Sequence, residues 1–516
     1  MAKRIFRFLG IGIFFFWGLE LSAQEQPRYG GTLNVGIHSD LYGLNPFVRM
    51  RSIDLSVRSI VYEALVAIDA KSQVRPFLAE SWKISPDGKE YTFNLRRGVK
   101  FHNGAEMTAE DIKWVAEYSV DPQHGATGKP YLEKVESVRV VDRYTVKFVL
   151  KQPAAAFLTS LGSLRTFFVL PKDSIPKGQT KVQTMPPGTG PFAFREWRAG
   201  SHAAFERFSD YWQKGLPYLD RVVFKPVIDT TARLAALRAG DLQLITRVPS
   251  AWVPKIQRGE AGETSLVPAK YAGFREIYLN VARPPFNNIK LRQAVLYAID
   301  KEKILEGAFW GQGEVTEERF FKGSPWHFGF PDRKRDLAKA KALLKQAGYK
   351  GEKIVAISRQ GQEEIPFSVA QLQEAGLNVV AETLEAGAYR ARNRAGDYDI
   401  SPGGGNNEPD PDQVSVEFTC DEDAVKRRAR DNNRTGYCNK ELDALFNQAS
   451  GTMDPKKRRE LYRKAFRIIY EEVPEVFLAF EHRFLGIHPR VRDFISNNNE
   501  DLILFEGGLH KTWLSR

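Results

Sequence analysis

Apolar and polar positions alternate with a period of two in several short runs bounded by turn residues. The clearest lies in residues 76–114. Trp82 and Ile84 alternate with polar neighbours, Pro86-Asp87-Gly88 supplies turn chemistry, and Tyr91, Phe93 and Leu95 alternate again. This pattern predicts a hairpin with one apolar face. Thr108 and Asp111 stand three apart before Ile112 and Trp114, a capping-box-like helix start with Asp in place of Glu or Gln. Val138, Val140, Tyr144, Val146 and Phe148 alternate about a turn at Asp142-Arg143, predicting two more strands within 131–149.

Elsewhere the same reasoning predicts strands at 29–37, 203–208, 222–228, 242–245, 274–280 and 476–486. The helical period predicts helices at 57–66, 154–164 and 440–449, and at 455–471. A further helix capped by Thr230 ends at Gly240. Leu291, Val295, Leu296 and Ile299 share one side of a helix expected from Asn287 or Asn288 to about Phe309. Asp336 caps a stripe of Leu337, Ala340, Leu343, Leu344 and Ala347 that Gly348 ends. Residues 353–357, 366–375 and 377–382 form a β-α-β unit. The run Pro186-Pro187-Gly188-Thr189-Gly190-Pro191-Phe192 suits neither helix nor sheet. Mixed elements over 516 residues give an α/β chain with two or three domains, because one core does not serve that length.

Composition changes the picture at three points. Lys3, Arg4 and Arg7 precede an apolar run from Leu9 through Trp17 and a Leu21-Ser22-Ala23 site, the pattern of a secretory signal over residues 1–23. The run is short for a bilayer span, and no cysteine near the cleavage site offers a lipid anchor. Export makes the two cysteines, Cys420 and Cys438, a disulfide rather than a metal site. In the chain-entropy picture that closure stabilises by roughly 3 kcal/mol. The net charge of +12 falls to about +10 once the signal, with three basic residues and Glu20, is removed. The densest basic runs, 426–434 and 456–459, carry no aromatics to stack on bases, so they read as solvated helix faces, not nucleic-acid contacts.

Residues 76–114 resemble one family closely. Leu78-Ala79-Glu80-Ser81-Trp82 through Thr108-Ala109-Glu110-Asp111-Ile112 follow the pattern LAESW…SxDGxxYTFxLRxGVKFHxGxxxTAxDV of the solute-binding proteins of bacterial ABC importers in the peptide/nickel class, which includes dipeptide- and oligopeptide-binding proteins. Leu44-Asn45-Pro46, Gly188-Thr189-Gly190-Pro191-Phe192 and Arg292-Gln293-Ala294 through Ile304 extend the resemblance. It implies a two-lobed periplasmic binding protein with mixed sheets, two hinge strands near 275–279 and 477–484, and a small extra domain. The implied division is lobe I at 27–62, 190–273 and 482–516, the extra domain at 63–189, and lobe II at 274–481. It also implies a cysteine pair where Cys420 and Cys438 stand, an inner-membrane ABC permease as partner, and a monomer.

Enzyme motifs are missing: no G-x-S-x-G elbow, no phosphate loop, no H-E-x-x-H. The eight histidines are scattered, His102 reads as structural, and neither a metal nor a cofactor is expected. The most chemically loaded stretch is 401–412, SPGGGNNEPDPD. It admits three readings: a flexible acidic surface loop, a calcium-like oxygen site that the prolines disfavour, or a ligand-recognition loop. The resemblance supports the third and nominates Gly405, Asn406, Asn407, Glu408 and Asp410, together with Asn45 on the loop that borders the cleft. Dipeptide-binding relatives place an acidic residue where Asn407 stands, and a neutral amide holds an ammonium less well. Arg359 falls where relatives hold the ligand carboxylate, although an exposed arginine is the plain alternative. The implied function is capture of a peptide or peptide-like solute, with a secreted peptide-acting hydrolase or chaperone-like protein as the alternative.

Overall fold

The structure is a computed structural model that describes residues 25–48, 52–124, 126, 128–164, 166–179, 182, 184–420, 433–496 and 508–516. The expected export segment and the basic run up to residue 432 lie outside the described residues.

Two long antiparallel strands, Ser265–Leu279 and Glu475–Ile487, run through the middle of one mixed sheet. On one side the order continues through Leu244–Val248, Thr32–Ile37, Arg221–Pro226, His202–Arg207 and Phe192–Arg198. On the other side come Ile400–Gly405, Ile354–Arg359 and Val379–Leu384. The last two pair in parallel across the helix Glu364–Glu374, giving the expected β-α-β unit with bounds shifted by one or two residues. Apolar side chains gather in separate clusters on the two sides. Leu33, Val35, Phe205 and Phe224 belong to one, while Ile277, Leu291, Ile354 and Leu478 belong to another. The protein is therefore two-lobed, and the paired long strands carry the chain from lobe to lobe.

A separate four-stranded antiparallel sheet, in the order Ala79–Ile84, Glu90–Leu95, Thr145–Leu150, Val135–Asp142, packs against the first cluster. The predicted hairpin forms its first two strands, Ala79–Ile84 at the edge. Tyr91, Phe93 and Leu95 are fully buried, whereas Trp82 is half-buried and Ile84 exposed. Each such core side chain contributes roughly 1.5–3 kcal/mol relative to exposure. The helix Ala109–Val120 starts as expected, with the Asp111 carboxylate accepting from the Thr108 amide at 2.7 Å.

Four expectations need correction. The helix expected at 57–66 is instead Ser52–Arg58, and Val66 opens a strand. Arg58 stops there because its buried guanidinium donates to the carbonyls of Asn45 and Pro46, at 2.8 and 2.9 Å. The next carbonyls, of Ile60 and Val61, accept from Phe192 and Gly190. Long-range partners thus outbid the local helix. The segment at 154–164 holds one helical turn, Phe157–Ser160; the Ala155 amide donates outward to the Ser450 carbonyl. The long helix at 288–309 is two, Ile289–Ala298 and Lys301–Phe309, because Asp300 leaves the helix and its carboxylate caps Lys303. Asp229, not Thr230, caps Thr230–Arg238 through the Ala232 amide.

The run at 186–192 returns to the first lobe between two polar anchors. A Cβ at Gly188 would collide with the Val61 carbonyl oxygen, so only glycine fits. His102 grips this segment through the carbonyls of Gly188 and Gly190, and burial lowers its pKa to about 4, so it stays neutral. Buried Glu63 accepts from Thr189 at 2.9 Å, Tyr211 at 2.8 Å and Trp212 at 2.9 Å. Glu63→Ala strands these three donors at about 1 kcal/mol or more each. Urea unfolding is expected to show a loss of about 3 kcal/mol, and an unchanged midpoint would contradict the role given to Glu63.

Candidate functional site

Polar side chains concentrate where the two long strands run between the lobes. Their register shifts between Ala269 and Gly273, and again between Arg275 and Glu276. Such bulges bend a strand and re-aim its side chains. Arg275 donates to the Glu481 carboxylate at 2.7 and 3.0 Å, with Arg483 3.5 Å from the same group. Burial alone would push the Glu481 carboxyl up, but Arg275, Arg483 and Arg247 together hold it below its ordinary value. Arg275 also lies 3.9 Å from Glu364, whose carboxyl burial raises, and over the Phe309 ring.

The strand Ile400–Gly405 lies against Ser265–Leu279 in the register Gly403–Glu276, Gly404–Arg275 and Gly405–Phe274. The three glycines are there because the strands touch closely. A Cβ at Gly403 would strike Glu276 and Tyr278, and one at Gly404, whose φ is +140°, would strike the Phe274 carbonyl. The stretch 401–412 is therefore no flexible acidic loop: Ser401, Pro402 and Gly403 are buried in a strand, and Pro411–Ser415 is helical. What remains between them, residues 406–409, is half-buried at the rim.

The nominated residues fall into two groups. Gly405, Asn406, Asn407 and Glu408 lie together at the seam, beside Arg319. This guanidinium stacks 3.3 Å over the Phe274 ring and reaches Asn407 Oδ1 at 3.4 Å, the Asn406 carbonyl at 3.5 Å and Glu417 at 3.6 Å. Arg359 ends the strand Ile354–Arg359, exposed, on the loop before Glu364. Asp410 and Asn45 instead brace these segments. Both Asp410 oxygens accept from Arg458, at 2.6 and 2.9 Å, and both side chains are buried. Arg458 was expected on a solvated helix face; here it belongs to the core, because an aspartate waits for it. Asn45 is buried, its Oδ1 accepting from the Phe47 amide and its carbonyl from Arg58. Cys420 and Cys438 are bonded.

Sequence reasoning missed Arg319 and Arg247, which no spacing singles out. It also missed a buried acid group behind the glycine strand. Glu276 and Glu475 lie diagonally across the two long strands, near Glu417 and Arg319. Burial comes first, and the neighbouring carboxylates add to it, raising both carboxyls. Lys134, just before the strand Val135–Asp142, reaches Asp412 at 3.0 Å and Ser450 at 3.2 Å, and Met453 covers Gly88. The domain that carries the small sheet thus touches the segments around Asp412, Ser450 and Met453. Among the described residues no group of His, Cys, Asp or Glu is placed to hold a metal ion, and no helix is long and apolar enough to cross a membrane.

Residues 73–425 match the family described as bacterial extracellular solute-binding proteins, family 5. The chain belongs to this family. Among its relatives, the glutathione-binding protein GsiB of Salmonella choleraesuis is 28% identical over 480 residues, covering 87% of this chain and 88% of that protein. The oligopeptide-binding protein AppA from Bacillus subtilis, solved with a nonapeptide, superposes with a TM-score of 0.79 at 25% identity over 95% of this chain and 100% of its own. AgaA from A. tumefaciens R10, solved with agropinic acid, gives a TM-score of 0.78 at 27% identity, covering 94% of this chain and 99% of its own. As a family 5 member, the chain is a solute-binding protein of an ABC importer. The family 5 relatives are binding proteins, which favours capture over the hydrolytic or chaperone-like alternative.

Glu276 supplies a pH test. Its carboxyl is raised to about 8 when folded against an ordinary 4.5, so the folded state holds a proton that the unfolded chain gives up above pH 4.5. The associated stability is present below the unfolded value and lost as pH rises through about 8. The melting temperature is expected to fall along this alkaline limb in the native chain and to fall less in Glu276→Gln, which stays neutral. Parallel limbs would contradict a protonated Glu276.

Proposed function

We propose that this chain captures a peptide or peptide-like small solute between its lobes in the periplasm and hands it, unaltered, to an inner-membrane permease. It works as a monomer after removal of its leader. The single observation that carries this reading is the seam itself. Main-chain groups of Gly405–Glu408, amides and arginines lie together there beside two bulged strands. Main-chain groups and amides suit a peptide backbone, which offers alternating donors and acceptors.

In this reading lobe I comprises 27–62, 190–273 and 482–516, lobe II comprises 274–481, and 63–189 is the extra domain. Gly405, Asn406, Asn407 and Glu408 meet the solute from lobe II, and Arg359 holds its terminal carboxylate. Asn45 and Asp410 keep the two bordering loops in shape. Closure is a hinge motion in the bulged strands, favoured by contacts that exist only when both lobes meet the solute.

The test begins with protein stripped by unfolding and refolding, titrated calorimetrically with peptide pools while the recovered solute is weighed by mass spectrometry. Binding with no change in solute mass is expected. Arg359→Ala is expected to weaken binding about tenfold or more, the usual loss for a charge-assisted hydrogen bond, with an unchanged circular dichroism spectrum. Silence across the pools, or a cleaved product, would contradict the reading.

A further inference from the structure

The bodies that the long strands join also meet through other elements. Lys134 is fixed beside the small sheet, its carbonyl accepting from the Lys151 amide at 2.9 Å. Its ammonium donates to the Asp412 carboxylate at 3.0 Å and to the Ser450 hydroxyl at 3.2 Å. The Ala155 amide donates to the Ser450 carbonyl at 3.0 Å, and Tyr91 holds the same segment through the Ala154 carbonyl at 2.9 Å. Tyr91 and Ala154 belong to the apolar cluster of Leu33 and Phe205. Asp412 and Ser450 sit in Pro411–Ser415 and Lys440–Ser450, whose Val414, Leu442 and Phe446 belong to another cluster. These hydrogen bonds therefore tie together groups set in different cores.

The acid end of this contact is held from within its own body. The Asp412 amide donates to Asp410 at 2.9 Å, Arg458 grips Asp410 with two hydrogen bonds, and Asp412 Oδ1 accepts from Tyr462 at 3.2 Å. Oδ2 is the oxygen that meets Lys134. The pair is partly wet, with side chains 33% and 14% exposed. A polar contact of this kind between domains parts more readily than an apolar core, because the separated charges regain water. Neither partner lies on the long strands, so rotation about their bulges shifts Lys134 against Asp412. A hydrogen bond of 3.0 Å does not survive a shift of about 1 Å. The nominated loop 406–409 leads straight into Asp410, so that loop and the Lys134 contact share one short segment.

We propose that Lys134 and Asp412 form a clasp, made as the lobes close on a solute and broken as they part. Neither side chain touches the solute. The pair raises the fraction of closed protein and so strengthens the capture of every solute by one common factor. This rests on the reading that capture closes the lobes. It adds a positioning pair, distinct from the nominated residues, that sets how tightly a solute is held without choosing which solute it is.

The test titrates stripped, full-length mature protein with two probes, Ala-Ala-Ala and Ala-Phe-Ala. Lys134→Gln is expected to weaken both by the same factor, about threefold to tenfold, as for a partly exposed charge-assisted bond, chiefly through faster dissociation. Lys134→Arg, which keeps the charge, is expected to retain part of the affinity. Asp412→Asn is expected to match Lys134→Gln, and the double variant to lose no more than either alone. In Lys134→Gln the melting temperature of stripped protein is expected to hold while that of peptide-saturated protein falls; a merely structural bond would lower both alike. Should Asp412→Asn fail to fold, the two Lys134 variants decide. Unchanged affinity in Lys134→Gln, a loss that differs between the probes, or equal falls in melting temperature overturns the clasp and leaves solute capture standing. No binding of either probe by the native chain overturns the clasp together with the peptide reading beneath it.

Discussion

The pairing of Ser265–Leu279 with Glu475–Ile487 is the constraint on which the rest of the structure depends. These strands belong to both lobes at once, so each lobe's core must anchor one end of the pair. Their outer residues, such as Ile277 and Leu478 at one end and Leu266 and Phe484 at the other, are apolar for that reason. Their middle, bent by two register shifts, keeps Phe274 and Phe480 apolar and buried but is otherwise largely polar. The sequence fills it with Arg275, Glu276, Glu481 and Arg483, whose hydrogen bonds and charge pairs tolerate a changing environment better than a jigsaw of methyl groups does.

Burial then decides which of these groups keep their charge. Glu481 remains ionised because three arginines surround it, whereas Glu276 and Glu475, sharing the reach of Arg319, are pushed towards the neutral form. Removing a carboxylate from water costs several kcal/mol unless paired, so a shortage of cations on one side and an excess on the other sort the acids. Burial, and after it the neighbouring arginines, keep His38 neutral. Arginines and Glu481 thus meet beside the glycine strand, which runs against the first long strand.

The sequence showed the period-two strands and the capped helices clearly because local chemistry alone specifies them: Tyr91-x-Phe93-x-Leu95 has one apolar face in any context, and Asp336 and Gly348 bound their helix without help. It misled where distant groups intervene. Arg58 ends a helix because carbonyls twelve and thirteen residues upstream need its guanidinium. Arg458, inside a basic run, is buried because Asp410 lies opposite. Asp300 was readable as a cap from the Asp-x-x-Lys spacing and was passed over in favour of an unbroken apolar stripe. At the site, Gly405 through Glu408 could be nominated by resemblance, since they are contiguous. Arg319, Arg247 and Arg483 come from three distant segments, and only the folded chain brings them to one seam.

The central claim is that the bulged long strands hinge two lobes about a captured solute. Small-angle scattering of the stripped protein, alone and saturated with the solute released from the native preparation, measures this most directly. The account predicts a smaller radius of gyration on saturation, with the solute recovered unchanged. An envelope identical in both states would contradict it.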